Sequence, residues 1–126
     1  MFQYCYSLVS IPQLDTSSVK SMSDMFLGCN SLVSIPLLDT SSVANMSYIV
    51  IASYLLTYAN IKGLKLDLSL GRPSLLSKES LLYIINNEAA TRAITITLAA
   101  YAYTRLAEDA DVVAALANHP NISLRD

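Results

Sequence analysis

Residues 1–48 carry one pattern of apolar and polar positions twice. Residues 1–24 read MFQYCYSLVSIPQLDTSSVKSMSD, and residues 25–48 read MFLGCNSLVSIPLLDTSSVANMSY. Seventeen of the 24 aligned positions are identical without a gap. Identity at this level does not arise by chance, so the chain contains two copies of one structural unit.

Each unit divides into an extended half and a half with helical spacing. In the first copy, residues 7–14 (SLVSIPQL) are predicted to form a short strand, because Pro12 is excluded from a helix interior. Residues 15–18 (DTSS) form a turn rich in capping side chains. Apolar residues then recur at spacings of three and four, which indicates one face of a helical or 3₁₀ segment: Val19, Met22, Phe26 and Cys29.

One strand and one helical turn per unit predict a right-handed solenoid, in which strands of neighbouring units pair in parallel. The third unit, residues 49–66, keeps the hydrophobicity and loses the identity, since between positions 49 and 61 only Leu56 repeats the second copy. We expect a degenerate unit whose strand lies near residues 56–64. The repeat region is therefore assigned to residues 1–66.

Residues 67–126 follow another pattern and hold most of the charged side chains. Residues 69–73 (SLGRP) are predicted to form a connection. Ser77 and Asp109 are predicted helix N-caps. The pattern predicts helices at 78–90, 100–107 and 110–118, and strands at 93–98 and 121–124.

This helix–strand–helix–strand order predicts an α/β capping region. Ile94 and Ile122 lie 28 positions apart, close to the upstream period. We therefore expect both strands to continue the parallel sheet of the repeats, while the helices cover its open end. The alternative is a separate small domain.

The repeat resembles the BspA-type leucine-rich repeat of bacterial surface proteins. The resemblance rests on the pattern M-F-x-x-C-x-S-L-x-x-I-P-x-L-D-T-S-x-V-x-x-M-S and covers residues 1–48. It implies an α/β fold, namely a leucine-rich-repeat solenoid, which binds protein or glycan or mediates adhesion without catalysis. It also implies a cell-surface or secreted location. Similar repeats occur in proteins of gut Bacteroidetes and their phages.

Composition narrows the function further. Eight basic and ten acidic residues give a net charge of −2, so a nucleic-acid partner is not expected. One His and two Cys offer little material for a catalytic or metal site, and neither a metal nor a cofactor is expected. Membrane insertion is not expected either, because polar residues interrupt the uncharged run at 40–61. Residues 1–5 do not resemble a secretory signal.

Polar residues recur at the turn of each unit and provide the first candidate site. Asp15 and Thr16 should align with Asp39 and Thr40 along one edge of the molecule. Such an edge could be a recognition stripe or a cation site. The favoured alternative is turn and capping chemistry, which every unit needs whatever it binds.

Tyr4 and Tyr6 are the second candidate, because they replace Gly28 and Asn30 of the next unit and tyrosine is effective on recognition surfaces.

The remaining chemistry-bearing residues have simpler interpretations. Cys5 and Cys29 occupy equivalent positions, and a ladder of buried thiols is favoured over a disulfide because the side chains should point the same way. His119 precedes Pro120 at a predicted helix end, where a cation interacts favourably with the helix dipole. A catalytic role for it is not expected, since no nucleophile can be placed beside it.

The first unit should expose an apolar edge, since Met1 aligns with Met25 at a repeat boundary. We expect this edge, including Leu8 and Ile11, to be covered by a partner, most simply by a second copy. The sequence thus predicts a non-enzymatic binding module, and the alternative is a structural component of a larger assembly, such as a phage virion or appendage.

Overall fold

The computed structural model describes residues 1–70 and 75–126. Two small parallel sheets and three short helices make up the regular structure of these residues, which confirms the α/β class. In chain order the elements are β1 (Ser34–Asp39), β2 (Tyr58–Lys62), β3 (Leu68–Leu70), α1 (Lys78–Asn86), β4 (Ile94–Leu98), α2 (Ala100–Leu106), α3 (Ala110–Asn118) and β5 (Ile122–Arg125).

The first sheet joins the second and third sequence units. β1 and β2 pair in parallel from Ser34 opposite Tyr58 to Asp39 opposite Lys62, with one irregularity between. The strand of the degenerate unit therefore lies where the sequence predicted it. The strand predicted at residues 7–14 was wrong, because this segment makes only scattered bonds to the second unit, such as Val33 N–H to the Val9 carbonyl at 2.9 Å.

The predicted helical half of each unit is a series of turns rather than a helix. Backbone N–H groups bond three residues back at alternate positions, as Met25 does to Met22 and Leu27 to Asp24, at 3.2 Å each. Left-handed backbone angles interrupt any helix, and they recur every 24 residues, at Tyr4, Gly28 and Ala52. Apolar residues do recur at spacings of three and four, but successive turns, and not a helix, place them on one side of the chain.

The turns of successive units are joined by a regular set of backbone bonds. Phe2 N–H donates to Met25 O and Phe26 N–H to Ile49 O, each at 2.8 Å and each 23 residues apart. Side chains follow the same stacking, since the Phe2 and Phe26 rings lie parallel with centroids 5.6 Å apart.

The second sheet has the order β3-β4-β5, and both pairings are parallel. Ile94 lies opposite Ile122, as their 28-residue spacing suggested. The expectation that these strands continue the sheet of the repeats was wrong, because β4 and β5 join β3 and not β1 or β2. β3 itself fell within the segment predicted as the start of a connection, and residues 71–73 of that segment lie outside the described residues.

The helices lie close to their predicted positions. Ser77 caps α1 by accepting from Ser80 N–H, and Asp109 caps α3 by accepting from two backbone N–H groups. α1 ends at Asn86, four residues before the predicted boundary. Helix α1 packs against β2 and α3, so the C-terminal region and the repeats share one apolar core. Within the described residues, no helix has the length and apolar character needed to cross a bilayer.

Candidate functional site

The aspartates of the predicted polar edge organise turns. In each unit an Asp Oδ1 accepts two bonds from the serine two residues on: Asp15 from Ser17 N–H at 3.1 Å and Oγ–H at 2.6 Å, and Asp39 from Ser41 at 3.0 and 2.6 Å. These serine bonds lower the pKa of both carboxyl groups from the ordinary aspartate value. Lys62 Nζ lies 3.4 Å from Asp39 Oδ2 and adds a smaller effect in the same direction.

The threonines of the same edge face the interior. Thr16 is buried, and its hydroxyl donates to Asp39 O at 3.1 Å while accepting from Asp39 N–H at 2.8 Å. Thr40 is buried as well, and its hydroxyl donates to Lys62 O at 2.9 Å. Each threonine therefore ties its unit to the next one, whereas the sequence favoured turn and capping chemistry within a unit for these positions.

A small cleft of about 290 Å³ brings these residues together. Asp15, Asp39 and Lys62 line it beside Gln13, whose amide donates to Leu37 O at 2.7 Å. Lys62 thus pairs with Asp39, and both carboxylates of the cleft are already bonded to serines. Among the described residues, no group of three or more His, Cys, Asp or Glu side chains is arranged to hold a metal ion.

Tyr4 and Tyr6 form an exposed aromatic pair. Their ring centroids are 6.0 Å apart with a tilt of 38°, and the side chains are 53% and 58% exposed. The Tyr4 ring lies over Gly28, where a Cβ would come within 2.7 Å of the ring. Glycine at 28 therefore leaves room for the ring against the next unit.

The outer side of the first unit is less buried than the equivalent positions of the second. Leu8 is half-buried, whereas Leu32 is fully buried. Ile11 is 9% exposed, against 2% for Ile35. The difference arises because the second unit has a neighbour on both sides.

The cysteines and the histidine occupy separate places. Both cysteines are free. Cys29 is buried, and its Sγ–H donates to Phe2 O at 2.9 Å. Cys5 is exposed, so only one of the two thiols expected to form a buried ladder is buried. Burial raises the pKa of the Cys29 thiol. His119 is the C-cap residue of α3, and its Nδ1 lies 3.1 Å from Glu88 Oε1. It does not line the cleft beside Asp15 and Asp39.

A second cleft, larger than the one beside Asp15 and Asp39, was missed by sequence reasoning. A cleft of about 430 Å³ opens between residues 44–48 of the second unit and residues 66–69 at the start of the second sheet. Arg92 and Thr97 complete its lining. The only sequence signal was the alternation KLDLSL at 65–70, which is typical of a strand with one polar face.

Comparison with protein-family models, with curated proteins and with solved structures gave no match to this chain.

Proposed function

We propose that this protein is a non-enzymatic binding module of the leucine-rich-repeat type that takes a protein or glycan partner at a bacterial surface. The solenoid arrangement is part of the proposal. It is supported by backbone bonds that recur between residues 23 apart and by left-handed residues that recur every 24. The BspA-type pattern of residues 1–48 supports the surface location.

The observation that carries the binding function is the exposed Tyr4–Tyr6 pair. Two oriented rings on one face can pack against a partner side chain or against the C–H face of a sugar, at a low cost in side-chain entropy. Their phenol groups add hydrogen bonds at the rim. Water competes poorly for the flat ring surfaces, so such a pair suits recognition better than catalysis.

A panel of immobilised bacterial and mucosal glycans and purified surface proteins tests this proposal. We expect the full chain to bind at least one member, and the double substitution Tyr4→Ala/Tyr6→Ala to abolish that binding. Tyr6→Ala alone is the milder variant, since Tyr6 does not lie over Gly28. Tyr101→Ala is the matched control, because Tyr101 is 64% exposed on α2. Binding that the tyrosine variants leave unchanged would refute the assignment.

A structural role in a larger assembly is the second candidate, favoured by the incomplete burial of Leu8 and by Val9, which is 54% exposed. In this case a second copy covers the first unit. Sedimentation across a wide concentration range should show a dimer or larger species, and Leu8→Lys should dissociate it. A monomer at all concentrations would contradict this structural role and would be consistent with the binding module.

A further inference from the structure

The 430 Å³ cleft, at residues 44–48 and 66–69, lies where a backbone ladder is interrupted. Ser21 pairs with Asn45 in a parallel bridge, and on the far side Ser69 pairs with Thr97 and Thr97 with Arg125. Asn45 and Ser69 are separated by one 24-residue period. The positions 21, 45, 69, 97 and 125 thus form one series, and within the described residues no backbone bond joins 44–48 to 66–70.

The first sheet closes the second unit against the third. There β1 and β2 pair from Ser34 opposite Tyr58 to Asp39 opposite Lys62. The second unit is therefore joined to the third by strand pairing, whereas its residues 44–48 are separated from residues 66–70 by the cleft.

One wall of the cleft presents unpaired backbone groups, because β3 is the edge strand of its sheet and one row of its N–H and C=O groups lacks a strand partner. On the other wall, the carbonyls of Asn45 and Ser47 accept from Met22 and Asp24 of the first unit, and the chain turns at residues 47–50.

The volume of the cleft is comparable to that of a short extended peptide. Neighbouring strands are about 4.8 Å apart, sheets pack about 10 Å apart and each residue rises about 3.3 Å, so one residue fills about 160 Å³. The cleft of 430 Å³ therefore holds about three residues of extended peptide.

The lining specifies the pattern of those residues. Met46 and Leu68 are buried at the cleft wall and favour apolar side chains that point inward. Arg92 is exposed at the cleft and forms no ion pair within the described part of the chain, whereas the nearby Asp67 Oδ1 already accepts from Thr95 N–H at 2.9 Å. A carboxylate in the peptide would pair with the guanidinium through two parallel bonds.

We propose that this cleft binds an extended peptide of the pattern apolar–acidic–apolar, which adds as a strand to the free edge of β3, opposite residues 44–48. Main-chain bonds to β3 supply affinity, and Arg92 supplies the preference for an acidic residue. The site is distinct from the Tyr4–Tyr6 pair, since neither tyrosine lines the cleft.

A labelled peptide KLDLSL tests the proposal, because this copy of residues 65–70 contains Leu-Asp-Leu and ends in Leu68–Leu70, which already forms the parallel strand β3 in this fold. Fluorescence anisotropy with the full chain should show saturable binding, and the peptide KLKLSL should bind about tenfold more weakly. Arg92→Glu should reverse this preference. Arg125→Glu is the matched control, because it makes the same charge change on β5 away from the cleft. Equal affinities of the two peptides for the wild type, or equal effects of the two arginine variants, would overturn the proposal.

Hydrogen–deuterium exchange separates strand addition from other modes of binding. Strand addition should slow amide exchange about tenfold or more at residues 68–70 when KLDLSL is bound. Binding that leaves this exchange unchanged indicates side-chain recognition, as of a glycan, and refutes the strand mode. Tyr4→Ala/Tyr6→Ala should leave peptide binding intact, so failure of this inference and failure of the tyrosine site are distinguishable.

Discussion

The buried threonines offer the sharpest test of how successive units are held together. Thr16→Val replaces a hydroxyl by a methyl group of similar shape. The substitution removes the bond to Asp39 O and the bond from Asp39 N–H, at 3.1 and 2.8 Å. Two hydrogen bonds at about 1 kcal/mol each predict a loss of about 2 kcal/mol in the free energy of unfolding.

Thr40→Val should cost less, although Thr40 holds the equivalent position. Its hydroxyl makes one bond, to Lys62 O at 2.9 Å. That carbonyl also accepts from Thr40 N–H at 3.0 Å, so it keeps a partner after substitution. We therefore expect a loss of about 1 kcal/mol, half of that for Thr16→Val.

Urea unfolding followed by circular dichroism and tyrosine fluorescence measures both values, since the chain has eight tyrosines and no tryptophan. Thr16→Ser and Thr40→Ser are controls that keep the hydroxyl, and they should cost similar amounts at the two sites. If Thr40→Val proves as costly as Thr16→Val, or if both are neutral, then the hydroxyl bonds do not account for the stacking of the units. A loss of partner binding at unchanged stability would instead assign the threonines to a recognition surface.

Three further predictions concern stability. Phe26→Ala should lower the free energy of unfolding, measured by urea titration, by about 3–5 kcal/mol, because the ring is fully buried. A loss below about 1 kcal/mol would contradict the place of this ring in the core. Gly28→Ala should destabilise the protein, since Gly28 has a φ of +72° and the new Cβ meets the Tyr4 ring. Combining it with Tyr4→Ala should recover part of this loss in the same assay. Strictly additive losses of the two substitutions would argue against the contact. The free energy of unfolding should fall as pH drops through the ordinary aspartate range toward the lowered pKa of Asp39, because the unfolded state takes up the proton first. Asp39→Asn should flatten this pH dependence in urea titrations between pH 2 and 6. An unchanged slope would contradict the role of the Ser41 bonds.

The C-terminal elements show how far local sequence signals reach. Ser77 and Asp109 are N-caps in the structure as the sequence predicted, and the parallel register of Ile94 and Ile122 follows from their spacing. Caps and β-branched runs act within a few residues, so a single sequence is sufficient to place them.

The repeat region shows where local signals mislead. Spacings of three and four in residues 19–29 suggested a helix, but the same spacing arises when successive turns place every third or fourth side chain inward. The left-handed angles at Tyr4 and Ala52 could not be expected, because neither residue type favours them. Stacking between units stabilises them, and Gly28 shows the same conformation with the residue that suits it best.

The candidate surfaces divide in the same way. The sequence predicted that Asp15 and Asp39 lie on one edge together with Thr16 and Thr40. Only the tertiary structure shows that the threonine hydroxyls bond to the backbone of the next unit and that the aspartates are bonded to serines. The exposure of Tyr4 and Tyr6 was expected from their replacement of Gly28 and Asn30.

By itself the sequence determined the 24-residue period, the α/β class, the helix caps and the strands β4 and β5, since each follows from local chemistry or from self-similarity. Only the tertiary structure decided that β3 joins β4 instead of continuing the first sheet, and that a cleft separates it from residues 44–48. The physical reason is that strand pairing depends on which edges meet after the whole core has packed, and the side-chain pattern of a single strand carries no information about its neighbour.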